Sequence, residues 1–300
     1  MKTLHFGDVT VDRLMEMEAP GFYPSFFMPD ATEAAIAAQS DWLLPHFLHA
    51  ESGRMIQSVH AYVIRTAHHT ILVDTCIGND KPRASTPPWN NLQTPWLDDL
   101  AAMGVAPEDV DFVMCTHLHV DHVGWNTRLL DGRWVPTFPN AKYLFEKTEY
   151  EHWANDPDGG ADGVGGPGSN DGCFQDSVLP VMAAGQAVLV DGDHALDDQM
   201  WLDPTPGHSP GHVCMNLAAG GRNAVFSGDL LHHAVQVAHP EWNSRFCWNP
   251  ELSRASRKKF VQDKADTDTL ILAAHFPSPT AGRIVDNGDR CKFAPIGEAD

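Results

Sequence analysis

The segment that most constrains this chain is Thr116-His117-Leu118-His119-Val120-Asp121-His122, which follows directly on the apolar run DFVMC (111–115). Four side chains able to hold a metal ion therefore stand within six residues, where a strand must end and turn. A strand apolar on both faces belongs inside a covered sheet, so its chemistry is confined to its end. On a segment that stays extended, His117 and His119 point the same way, and Asp121 and His122 enter the same space from the following turn. Three imidazoles and a carboxylate suit zinc or another borderline divalent metal. The chain carries 17 histidines, and three more candidates follow the same grammar. His208 closes WLDPTPGH, Asp229 closes NAVFSGD, and His275 closes TLILAAH.

The rest of the chain reads as alternating strands with helices between them. Strand patterns cover HFGDVTVDRLME and the two apolar runs of SVHAYVIRTAHHTILVDTCIG, with a polar turn at 67–70. They continue in AKYLFE (141–146), QAVLVDGD, MWLDPTPG, HVCMNLAA, NAVFSGDLL and 269–276, and close in the hairpin RIVDNGDRCKF. Helices are predicted over 32–39, 96–103 (ended by Gly104), 147–153, 174–184 and 250–266. Such a chain packs as two mixed sheets with helices outside, an α/β four-layer αββα sandwich, in one domain over residues 1–300. Residues 20–56 are rich in aromatics, including Phe22, Phe26, Phe27, Trp42 and Phe47, and read as a lid or a homodimer contact. Residues 156–172, DPDGGADGVGGPGSNDG, read as a flexible loop. The G-x-G-x-x-G match within it, at Gly163, Gly165 and Gly168, lacks the strand and helix a dinucleotide site requires.

Composition excludes several classes of function. Forty acidic against 20 basic residues give a net charge of −20, which opposes nucleic-acid binding and adhesion to an anionic membrane. No apolar run is long enough to span a bilayer. The start MKTLHFGDVTVDRL meets polar residues too early for a signal-peptide core, so a cytoplasmic protein is expected. The six cysteines contain no C-x-x-C pair and read as reduced thiols.

Taken together, Asp74 in ILVDT, H-x-H-x-D-H at 117–122, T-P-G-H-S-P-G-H at 205–212, S-G-D at 227–229 and A-A-H at 273–275 resemble the metallo-β-lactamase superfamily. The resemblance implies two metal ions. The first would be held by His117, His119 and His208, the second by Asp121, His122 and His275, with Asp229 bridging both. Zinc comes first, with manganese, iron and cobalt as alternatives. Asp74 matches a carboxylate that steadies the ligand loops. His208 rather than His212 matches the ligand of its motif, and His212 is left to packing or support. G-H-S-P-G at 207–211 also matches a serine-hydrolase elbow, but the residue after Ser209 is a proline, with no N–H for an oxyanion.

The implied activity is hydrolysis of an ester-like bond by a hydroxide shared between the two ions. An aspartate at 229 resembles the branch holding glyoxalase II, quorum-quenching lactonases and methyl-parathion-hydrolase-like enzymes. GDLLHHAVQVAHPEW and AAHFPSPTAGRI are most similar to the last of these. Expected catalytic groups are Asp121, Asp229 and His232, the last standing where lactonases place a tyrosine near the substrate oxygen but reading equally as a surface or packing histidine. Trp125 reads either as pocket wall or as core, and Phe26 and Phe27 as pocket residues. The expected substrate is small and neutral: a lactone or carboxylic ester first, a phosphotriester next. Alternatives are a thioesterase, a β-lactamase, or a non-hydrolytic metal-binding or redox protein of the same fold.

Overall fold

What reads as one alternating run at the N-terminus is a hairpin, β1 (Leu4–Phe6) and β2 (Val9–Pro20), paired from Leu4↔Val11 to Phe6↔Val9. The chain is described here by a computed structural model covering residues 1–157 and 170–297. Most of the 156–172 loop expected from the sequence, with Gly163, Gly165 and Gly168, lies outside the described residues. β3 (Ile56–Arg65), β4 (Thr70–Val73) and β5 (Phe112–Met114) follow. A small hairpin, β6 (Thr127–Leu130) with β7 (Arg133–Pro136), precedes β8 (Lys142–Glu146) and β9 (Ala187–Val190). These strands make a seven-stranded sheet in the order β1-β2-β3-β4-β5-β8-β9. A six-stranded sheet runs in chain order through β10 (Met200–Pro204), β11 (Val213–Ala219), β12 (Arg222–Gly228), β13 (Leu270–Ala273), β14 (Ala281–Asp286) and β15 (Cys291–Pro295).

Period-two alternation sorts the side chains into layers. Tyr62, Ile64, Ile71, Val73, Met114 and Leu144 of the first sheet join Met215, Leu217, Phe226, Leu270 and Leu272 of the second in one buried cluster, the seam between the sheets. Their neighbours Ala61, Val63, Leu72, Val113, Tyr143 and Phe145 face the other way, onto Trp96, Leu100, Phe174 and Val181. On the far side of the second sheet, Cys214, Val225, Ile271 and Ala273 meet Phe260 and Val261 of the helix Pro250–Lys264. The result is the α/β four-layer sandwich.

Residues 20–56 leave the first sheet and pack on the second. Phe27, Met28, Ile36, Leu43 and Phe47 join the outer cluster of that sheet, so the segment crosses from one half to the other. Its helix at Glu33–Ala37 is shorter than the sequence predicts, with Thr32 capping it by accepting from the Ala35 N–H at 3.2 Å. The single helix expected over 174–184 is a π-wound turn, Phe174–Val178, followed by Leu179–Ala183. Pro180, lacking an N–H, sits at that junction.

Parallel pairing decides where the chemistry is. β4 pairs parallel to β5, and β12 parallel to β13, so these four strands present their C-terminal ends in matched pairs. Asp74, the 117–122 segment, Asp229 and His275 all lie just beyond such ends.

Candidate metal centre

The structure brings all seven ligand candidates together. His117, His119, His122, His208, Asp229 and His275 are buried, and Asp121 is half-buried, the most accessible of the set. The His208 Nε2 lies 3.2 Å from His117 Nε2 and 2.8 Å from His119 Nδ1, so three ring nitrogens converge on one point. Across Asp229, His122 Nε2 and His275 Nε2 stand 3.3 and 2.9 Å from Oδ1, and His208 Nε2 stands 3.2 Å from Oδ2. Asp121 completes the second group, its oxygens 3.6 Å from His122 Nε2 and from His275 Nε2. One carboxylate thus lies between two sets of donors.

Hydrogen bonds at the back of the rings fix which nitrogen faces inward. Asp74 accepts from the Thr116 N–H at 2.8 Å and from the Thr116 hydroxyl at 2.9 Å. Its Oδ2 also accepts from His122 Nδ1 at 2.9 Å, and the Thr116 oxygen accepts from His117 Nδ1 at 3.1 Å. Asp74 therefore orients a ligand of each group. His275 Nδ1 donates to the Ser58 carbonyl at 2.8 Å. The donor set fits divalent metal ions on an observation of its own: His119 Nε2, His122 Nε2, His208 Nδ1 and Asp229 Oδ1 are buried without a hydrogen-bond partner among the described residues. Buried polar atoms rarely stay unpaired, and here two of them, on His122 and Asp229, are ligand atoms that an ion would satisfy.

The electrostatics divide the site. Burial holds His117 and His208 well below the usual histidine range and pushes His119 down to about 4, so these rings are held neutral, the form that can coordinate a metal. Burial also opposes charge on His122 and His275, but Asp229 and Asp121 outweigh it, and His275 is raised to about 9. Burial would raise Asp229, yet the surrounding histidines, His275 first, hold it well below the carboxylate range.

Neighbouring residues take other roles. His212 accepts the Asp229 N–H on Nε2 at 2.9 Å and faces Thr205 Oγ1 with Nδ1 at 2.8 Å, so one nitrogen holds Asp229 while the other anchors the ring on Thr205. Gly228 permits this approach: its φ is +47°, and a Cβ there would meet His212 Nε2 at 2.6 Å. Ser209 is buried, and neither nitrogen of His208 meets its hydroxyl, so no serine–histidine pair forms. His232 Nε2 stands 3.3 Å from Asp229 Oδ2 and 3.3 Å from Ser244 Oγ. Burial pushes His232 down to about 3 despite Asp229. Phe27 packs edge-on to the His232 ring at 5.5 Å and stacks with Phe22, while Phe26 is exposed at the rim. Trp125 is not a pocket wall. It stacks on Trp96 at 5.4 Å in the outer core of the first sheet, and its Nε1 donates to Glu16 at 2.7 Å.

Three supporting residues were not found from sequence. Glu16 accepts from the Ile77 and Gly78 N–H groups as well as from Trp125. Glu149 receives hydrogen bonds from both loops that carry the first group of histidines. The buried guanidinium of Arg257 donates to the carbonyls of Leu230, Pro240 and Trp242, pinning the chain that follows Asp229. Their partners are distant in sequence, and each residue read locally is an ordinary charged side chain.

An αββα sandwich with two donor groups sharing one aspartate defines a metal-binding protein of the metallo-β-lactamase type. Residues 56–275 match the metallo-beta-lactamase superfamily pattern, and the chain belongs to that family. It is 26% identical over 177 residues to the N-acyl homoserine lactonase AiiA of Bacillus thuringiensis subsp. kurstaki, a stretch covering 59% of this chain. It is 33% identical over 116 residues to the N-acyl homoserine lactonase AttM of Agrobacterium fabrum (strain C58), 39% of each chain. The chain spans about three fifths of the length of the AiiA relative, 60%. Among solved structures, the hydrolase AbOPH of the beta lactamase superfamily superposes with a TM-score of 0.79 at 25% identity, covering 99% of this chain and 98% of that one. The dizinc quorum-quenching lactonase AidC shares the fold, with a TM-score of 0.77 at 20% identity over 99% of this chain and 97% of its own.

Proposed function

We propose that this chain is a dinuclear metal-dependent hydrolase of ester-like bonds, acting on a lactone or carboxylic ester first and a phosphotriester next. The observation that carries the reading is Asp229, whose two oxygens face separate donor groups: His122 and His275 on one side, His208 on the other. Zinc is the metal proposed, since histidine nitrogens and carboxylates make up the whole set. When bound, two such ions lower the pKa of water and polarise the carbonyl or phosphoryl oxygen of the substrate.

The chain's own groups then have distinct tasks. Asp229 holds the two donor groups in register, and His212 holds Asp229 by its backbone N–H. Asp121, the most accessible donor, borders the path of the substrate. His232, neutral and with Nε2 beside Asp229, would offer that nitrogen to the substrate oxygen, the task the resemblance gives to a tyrosine in lactonases. Phe27 and Phe22 form an apolar wall beside it, suited to an acyl or aryl group. In this reading residues 20–56 are a lid over the site.

The relatives AiiA and AttM, named as N-acyl homoserine lactonases, support placing lactones first, and AbOPH, named as a hydrolase, supports hydrolysis in general. The test is a panel on metal-loaded protein: an N-acyl lactone, an aryl ester, a neutral phosphotriester, a glutathione thioester and a β-lactam. The highest kcat/KM is expected for the lactone or ester. Absence of turnover on every member would overturn the hydrolase reading.

A further inference from the structure

We propose that Glu149 is a positioning residue whose carboxylate ties together the two loops supplying His117, His119 and His208, so that the three ring nitrogens converge. The inference rests on the metal-binding reading of that trio. Glu149 lies in the first turn of the helix Lys147–Asn155, which follows β8 without a break and is capped by Glu146, whose Oε2 accepts the Glu149 N–H at 2.7 Å. The Glu149 side chain is fully buried. Its Oε1 accepts the Leu118 N–H at 3.0 Å and the Trp153 indole N–H at 2.6 Å, and its Oε2 accepts the Gly211 N–H at 2.8 Å. Leu118 lies between His117 and His119, and Gly211 is three residues beyond His208. Trp153, fixed by the same oxygen, packs edge-on to the His119 ring at 5.4 Å. One side chain thus holds both loops that carry the three donors, meeting the 117–122 segment at Leu118, between His117 and His119, rather than at Asp121 or His122.

Two physical points separate this from ordinary packing. A buried carboxylate is costly unless its lone pairs are filled, and three N–H donors fill this one, two of them from remote segments and one from Trp153 of its own helix. Gly211 also lies unusually close to the helix: a Cβ there would fall 2.0 Å from Glu146 Oε2 and 2.4 Å from the Glu149 nitrogen. The 208–212 loop is therefore pressed onto the helix start, where only a glycine fits, and Glu149 sets its height. Asp74 reaches His117 only through the Thr116 hydroxyl, so Glu149 and Asp74 hold the segment at different points.

The test is Glu149→Gln, nearly identical in shape. A glutamine keeps one acceptor oxygen for Leu118 and Trp153 but turns its NH2 towards the Gly211 N–H, donor against donor. Metal-free parent and variant are titrated with cobalt(II) against a competing chelator, following equivalents bound and the cobalt absorption bands. The parent is expected to take up two equivalents. The variant is expected to lose affinity for one of them by about 10- to 100-fold, the usual effect of removing a partner behind a metal ligand, and to keep the other. His275→Ala is expected to weaken the other equivalent, so the two changes together remove both. Should Glu149→Gln fail to fold, Glu149→Asp keeps a carboxylate but draws its oxygens back from Leu118 and Gly211, and the same single loss is expected. Two equivalents held at parental affinity, or both weakened equally, would overturn the proposal. A parent that binds only one equivalent overturns the dinuclear reading instead. The Glu149 proposal then stands or falls on whether the variant weakens that equivalent.

Discussion

At the scale of single residues, Asp229 is the group on which both donor sets depend. It receives His275 and His122 on one oxygen and His208 on the other, while His275 meets only the second set. Asp229→Ala is therefore expected to lower kcat/KM further than His275→Ala, by about tenfold or more, because it disturbs both ions rather than one. Steady-state kinetics on the two variants checks this, and an Asp229→Ala enzyme within a few fold of the parent removes the bridging assignment. His233 illustrates a different demand. Its Nε2 donates to the Phe47 carbonyl at 2.8 Å and its Nδ1 accepts from the Val235 N–H at 3.2 Å, so the ring is held neutral and burial pushes it down to about 4. The unfolded chain takes up this proton near pH 6.5 and the folded one only near 4. Folding is therefore unaffected by this group above pH 6.5 and loses stability, on the order of 3 kcal/mol by the pKa difference, as pH falls towards 4. His233→Gln is expected to flatten the fall of Tm across that window, and an unchanged slope would count against it. The ligands themselves were legible because their motifs are local. Glu149, Glu16 and Arg257 were not, because each is defined by N–H or carbonyl partners tens of residues away.

At the scale of elements, period-two alternation located most strands and the parallel pairs explain why the motifs stand at strand ends. The β6–β7 hairpin was missed although Asp131-Gly132 is a turn signal, because TRLL and RWVP are too short to show a period. The four-residue helices at Pro24–Phe27, Ser40–Leu43 and Val235–Ala238 were missed for the same reason. The aromatics of residues 20–56 were visible as composition, but composition gives no direction. The structure turns Phe27 and Phe47 inward, Phe27 against His232 and Phe47 against His233, so adjacent histidines meet two points of one segment. If that segment forms the acyl wall, Phe27→Ala is expected to raise KM for a long-chain acyl lactone several-fold and to leave a short-chain one nearly unchanged. Burying each methylene contributes about 0.8 kcal/mol, so the effect grows with chain length. Equal changes for both chain lengths would place the acyl group elsewhere.

At the scale of the whole molecule, the proposed reading sets a net charge of −20 around a site where two carboxylates, Asp121 and Asp229, would face two divalent ions. The field outside and the field at the centre therefore have opposite signs, and distance decides which one a substrate feels. A neutral ester meets neither until it is inside the pocket, where the positive centre acts on its carbonyl. A polyanion is repelled during approach, over lengths comparable to the Debye length of about 10 Å at 0.1 M salt. Among neutral substrates, kcat/KM is accordingly expected to vary little between low salt and about 0.3 M, since nothing long-ranged steers them. For an anionic substrate such as a phosphodiester or a glutathione thioester it is expected to start lower and to rise with salt, as screening removes the repulsion. Measuring kcat/KM for one substrate of each kind across that salt range separates the two fields. An anionic substrate preferred at low salt, with kcat/KM falling as salt is added, would show that the positive centre reaches beyond the lid and would overturn the neutral-substrate reading while leaving the metal ligands as assigned.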